Sequence, residues 1–93
     1  MSCSIKNFSK DVVIINELGL HARAAARIAE IVQNAKLNVW IIRDDDKADA
    51  ASVIDLLTLG CSKDSTVTVK IDYPSDIDTL NRIVELIENG FGE

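Results

Sequence analysis

Aromatic residues make up only 4% of this 93-residue chain, which holds one histidine, one proline, two cysteines and four glycines. Two cysteines in a domain with an adequate core do not make a disulfide framework, so Cys3 and Cys61 read as reduced thiols. No Gly/Ser-rich or low-complexity stretch divides the chain, and residues 1–93 read as a single domain. No positively charged N-terminal segment leads into a long apolar stretch, and no run approaches membrane-spanning length. Both features read against export or membrane insertion and for a cytoplasmic protein. Basic residues are outnumbered, ten against fifteen acidic ones, for a formal charge of −5. A general nucleic-acid binder gains most of its affinity by neutralising phosphates with clustered Lys and Arg, so that class is excluded. Metal-ligand patterns are lacking as well. The lone histidine has no second His, CxxC pair or carboxylate cluster at ligand spacing near it, and no metal or cofactor is expected.

Hydrophobic residues, by contrast, reach 47%, and their spacing is regular. Val12-Val13-Ile14-Ile15 is a β-branched run closed by Asn16, Leu37 to Arg43 is a second strand, and Thr66-Val67-Thr68-Val69-Lys70-Ile71 alternates as a third. Asp44-Asp45-Asp46 turns the second strand into a short, weakly marked one near Lys47 to Ala50. From Ala22 to Ala35, polar Arg23, Arg27, Glu30 and Asn34 recur at spacings of three and four, which predicts an amphipathic helix. Ser52 to Gly60 predicts a short helix with a capping serine, an acid (Asp55) three residues on, and a terminal glycine. Because that acid is Asp, a reciprocal capping bond is weakened. Pro74-Ser75 opens a last helix with Ile77, Leu80, Val84, Ile87 and Phe91 on one stripe. The order predicts an α+β fold: a four-stranded antiparallel sheet with three helices on one face. Val39 and Ile41 should face the helices, and Trp40 and Ile42 the opposite side of the sheet.

His21 stands in Asn16-Glu17-Leu18-Gly19-Leu20-His21-Ala22-Arg23, where a strand gives way to a helix. Neutral imidazole is a nitrogen nucleophile near neutral pH, and the first turn of a helix offers unpaired N–H groups to an anion. Gly19 permits positive φ ahead of the helix, Leu18 and Leu20 can anchor the loop, and Arg23 adds a fixed positive charge. On the residues alone, phosphoryl chemistry at His21 competes with two plainer readings, a solvated residue and a makeshift cap.

Gly19-Leu20-His21-Ala22-Arg23 resembles the active-site motif of the histidine-containing phosphocarrier family, HPr, of the bacterial phosphoenolpyruvate-dependent phosphotransferase system. Ser52-Val53-Ile54-Asp55-Leu56-Leu57-Thr58-Leu59-Gly60 is similar to that family's second signature. The two segments stand at the family's separation, and the likeness runs from the first strand to the terminal Gly-Phe-Gly-Glu. The resemblance implies the open-faced β-sandwich of HPr type, βαββαβα. It further implies a carrier rather than an enzyme: phosphorylated Enzyme I passes a phosphoryl group to Nδ1 of His21, Arg23 stabilises it, and an enzyme IIA domain receives it.

By the same likeness Leu56 and Leu59 belong to the core, while Val53, Ile54 and Leu57 form a partner-facing patch, with Arg27 adding charge to its rim. Glu30 and Gln33 stand where many relatives carry basic residues. Ser52 matches a serine that an ATP-dependent HPr serine kinase phosphorylates in some relatives, which suggests an alternative: a regulatory protein-binding module controlled at Ser52. Asp55 replaces a glycine of several relatives. Ala24 replaces the proline that usually follows the family's arginine, which should loosen the helix start slightly without removing a reacting group. A third reading, a small ligand-binding α+β domain in which His21 only caps a helix, stays open. A carrier that visits partners in turn is expected to be a monomer.

Overall fold

The computed structural model describes residues 8–93; Cys3 lies outside them. Four strands, β1 (Ser9–Val13), β2 (Val39–Arg43), β3 (Asp46–Asp49) and β4 (Thr66–Ile71), form one antiparallel sheet in the order β1-β4-β2-β3. Three helices, α1 (Ala22–Val32), α2 (Val53–Thr58) and α3 (Ile77–Glu88), cover one face. The α+β architecture therefore matches the order of elements expected from the sequence.

Burial follows the alternation of the strands. Val39, Ile41, Val67, Val69 and Ile71 point under the helices, where they meet Ala24, Ala25 and Ile28 of α1, Leu56 of α2, and Leu80, Ile83 and Ile87 of α3. The opposite face carries the half-buried Trp40 and Ile42, as their register required. There the Lys47 ammonium sits 4.3 Å from the Trp40 ring centre, and the indole N–H donates to Asp72 at 3.0 Å. Lys47 thus screens the ring from water by a cation–π contact.

Element boundaries shift where side chains or turns take over backbone groups. The second strand begins at Val39 rather than Leu37 because the buried Asp76 carboxylate accepts the amides of Lys36, at 3.0 Å, and Leu37, at 3.1 Å. Amides committed to a carboxylate cannot join a ladder. The first helix ends at Val32, and Gln33, Asn34 and Ala35 continue it with tighter three-residue bonds. A 3₁₀ turn at Pro74–Asp76 precedes α3. The first strand runs from Ser9 to Val13, earlier than its apolar residues alone suggested, because Ser9, Lys10 and Asp11 pair with Lys70, Val69 and Thr68.

The chain past α3 does more than end. Gly90, Phe91 and Gly92 all take left-handed conformations, with φ of 64°, 58° and 78°. Phe91 is buried, so this 3₁₀ turn is anchored by its aromatic ring and carries Glu93 back across the molecule.

Candidate functional site

His21 is the N-cap of α1, in an extended backbone conformation. The first helical bond runs from the Ala25 N–H to the His21 carbonyl at 2.8 Å, so the amides of Ala22, Arg23 and Ala24 precede the ladder. The Arg23 N–H donates to Nδ1 of the imidazole at 3.2 Å. The ring stays partly open to solvent, its side chain 22% exposed. Nδ1 therefore lies over the positive end of a helix macrodipole.

The loop before it is held by the backbone. Leu20 N–H donates to the Cys61 carbonyl at 2.9 Å, and Gly19 turns with φ of 64°. A β-carbon at Gly19 would collide with that carbonyl oxygen and come within 2.9 Å of Ser62 Cα, so close backbone approach demands glycine here. Leu20 is buried and anchors the loop as expected. Leu18 does not, because it lies 69% exposed while the Gly19 amide closes a turn onto the Asn16 carbonyl. Backbone pairing with the 61–62 segment replaces the second apolar anchor.

Two residues of the site went unseen in the sequence. Nε2 of His21 is hydrogen-bonded to Oε2 of Glu93, 72 positions away. Glu93 Oε1 accepts a bond from Nδ2 of the buried Asn16 at 3.2 Å, and the same amide group donates to the Gly19 carbonyl at 2.8 Å. The Asn16 Oδ1 atom has no hydrogen-bond partner among the described residues. The hydrogen bond from His21 is the main influence holding the Glu93 carboxyl below its ordinary value, with help from Asn16 and from the Arg23 charge against partial desolvation. No local signal marks this contact, because only the left-handed turn after α3 brings Glu93 to the imidazole.

Of the remaining expected residues, Arg27 and Val53 line a shallow groove of about 500 Å³ between α1 and α2, together with Arg23, Glu30, Gln33 and Ala51. Ile54, 73% exposed, and Leu57 are open to solvent, whereas Leu56 and Leu59 are buried in the core. Val53 is intermediate, half-buried and packed on the core. Ser52 caps α2: its Oγ accepts the Asp55 N–H at 3.2 Å. The return bond of a capping box is not made, and the Ser52 amide goes instead to the Asp49 carbonyl at 2.9 Å. Arg43 fastens the other end of α2 by donating to the Leu59 carbonyl at 2.8 Å.

An antiparallel sheet with helices on one face, its first helix capped by a half-open histidine, defines an open-faced β-sandwich. The family model described as the PTS HPr component phosphorylation site matches residues 8–89. The chain belongs to the HPr family of phosphocarrier proteins of the phosphotransferase system, which are carriers and not enzymes. A phosphocarrier protein HPr from Cupriavidus necator is 37% identical over 84 residues, covering 90% of this chain and 94% of that protein. A phosphocarrier protein NPr from Klebsiella oxytoca is 35% identical over 83 residues, covering 88% of this chain and 92% of its own. Among solved structures, HPr-C-His from Thermoanaerobacter tengcongensis superposes with a TM-score of 0.85 at 29% identity, covering 91% of this chain and 96% of that one. No helix among the described residues is long and apolar enough to cross a membrane.

Proposed function

We propose that His21 accepts a phosphoryl group at Nδ1 from phosphorylated Enzyme I and donates it to an enzyme IIA domain. The observation that carries this reading is the imidazole seated as the N-cap of α1, with Nδ1 against the Arg23 amide. A phosphoryl group on Nδ1 meets that N–H, the positive helix end and the guanidinium of Arg23. Partners then need only bring donor or acceptor into line and neutralise charge in transit. Ala24 in place of proline leaves this arrangement intact, since it is buried at the helix start and supplies no reacting group. Ile54 and Leu57, exposed on α2, are the apolar part of the docking surface, with Val53 at its buried edge and Arg27 on its rim.

Incubation with phosphoenolpyruvate and Enzyme I tests the proposal. An acid-labile adduct on His21, absent in His21→Ala, is expected; an unlabelled protein refutes it.

A second reading concerns Ser52, whose hydroxyl already sits at the N-terminus of α2 and bonds the Asp55 amide. A phosphate added there by an HPr serine kinase is accommodated by the helix start and changes docking by charge rather than by unfolding. Its mark is an acid-stable adduct at Ser52 formed from ATP, and weaker binding to Enzyme I afterwards.

A further inference from the structure

We propose that Glu93, braced by Asn16, is a positioning residue that blocks Nε2 of His21 and directs phosphoryl chemistry to Nδ1. This rests on the reading of His21 as phosphoryl acceptor and deepens it.

A neutral imidazole has one donor nitrogen and one acceptor nitrogen. The Arg23 N–H can only donate, so Nδ1 facing it carries the lone pair. An ionised carboxylate can only accept, so Nε2 facing Glu93 carries the hydrogen. One local and one remote contact dictate the same tautomer, and the hydrogen bond at one nitrogen sets the role of the other. Glu93 is itself fixed. Its second oxygen is bonded by Asn16, and Asn16 is pinned by its bond to the Gly19 carbonyl and by burial. Phe91, locked in the core two residues earlier, sets where the carboxylate arrives.

The transfer step balances without any proton leaving. The Nδ1 lone pair forms a bond to phosphorus, and the bond from phosphorus to the donor breaks with its electron pair staying on the donor. The ring, now bonded to phosphorus at Nδ1 and hydrogen at Nε2, is positive, and the Glu93 carboxylate faces that charge. The Arg23 N–H, released from the lone pair, turns to a phosphoryl oxygen. Passing the group onward reverses these movements, and the imidazole returns neutral in the same tautomer.

A small chemical donor, phosphoramidate, tests this without any partner protein. The protein and its Glu93→Gln and Glu93→Ala variants are reacted with it, and ³¹P NMR distinguishes Nδ1 from Nε2 phosphohistidine. The unaltered protein gives the Nδ1 adduct. Glu93→Gln shifts the ratio no more than Asn16→Ala does, because its single amide oxygen still accepts from Nε2–H while its NH2 loses the bond from Asn16. Glu93→Ala raises the Nε2 to Nδ1 ratio about tenfold, the scale of one lost hydrogen bond. Asn16→Ala shifts the ratio in the same direction by less. An unchanged ratio in Glu93→Ala, or one shifted equally in Glu93→Gln, overturns the proposal. Regioselective labelling by phosphoramidate combined with no labelling by Enzyme I would instead overturn the carrier assignment and leave the role of Glu93 standing.

Discussion

Gly19 and Gly60 offer a matched pair of substitutions. Both glycines hold nearly the same left-handed conformation, with φ of 64° and 63°, and they differ in what a β-carbon would meet. At Gly60 nothing lies within 4 Å; at Gly19 the Cys61 carbonyl and the Ser62 backbone stand in the way. Gly60→Ala therefore costs only the left-handed strain, about 1–2 kcal/mol, less some gain from a stiffer unfolded chain. Gly19→Ala carries the same two contributions plus the overlap, about 1–3 kcal/mol for overpacking against a part that cannot swing away. The displaced carbonyl also weakens the 2.9 Å bond from Leu20 N–H, about 1 kcal/mol more. Since strain and unfolded-state effects are common to both, the difference between the variants isolates crowding, and it should be about 2–4 kcal/mol. Urea denaturation followed by far-UV circular dichroism measures it. With a slope of about 1 kcal/mol per molar, the Gly19→Ala midpoint falls roughly 2 M or more below that of Gly60→Ala. Equal midpoints would refute the argument that the approach of the 61–62 backbone is what requires glycine ahead of His21.

Leu56→Ala, which empties a fully buried position, should cost about 2–5 kcal/mol in the same denaturation assay. Ile54→Ala, at a side chain 73% exposed, should change stability by less than about 0.5 kcal/mol yet weaken Enzyme I binding in calorimetry. Burial raises the Cys61 thiol above its ordinary value of 9.0, against a smaller pull from Arg43. Unfolding then releases a proton as pH climbs past 9.0, so stability should fall on the alkaline side, and Cys61→Ser should flatten that limb of a pH–stability curve. Glu93 has the opposite sign. Its carboxyl is held below 4.5 in the folded protein, so its contribution is present above that pH and is lost as pH falls below it. Glu93→Gln should remove that part of the acid dependence in thermal melts.

Much of the fold was legible because its elements announce themselves locally. Alternation in Thr66 to Ile71 and the three-and-four spacing of α1 and α3 specify which faces are buried, and burial follows them. Boundaries were less legible where a remote group intervened: Asp76, about forty positions on, removes Lys36 and Leu37 from the second strand. The candidate site divides in the same manner. His21, Arg23 and Gly19 are neighbours in sequence, so their shared loop could be read directly. Leu18 and Leu20 looked equivalent on paper, and only the pairing of the loop with residue 61 shows that one is anchored and the other is not.

What the sequence determined by itself is whatever depends on short-range periodicity and backbone permission: the helix and strand faces, the glycine ahead of the histidine, the serine cap, and the family. The tertiary structure alone decided what faces Nε2 of the imidazole. That outcome depends on a carboxylate delivered from the far end of the chain by three left-handed residues and a buried phenylalanine. Contacts across 72 positions arise only after the core has brought the two ends together, so no local pattern encodes them.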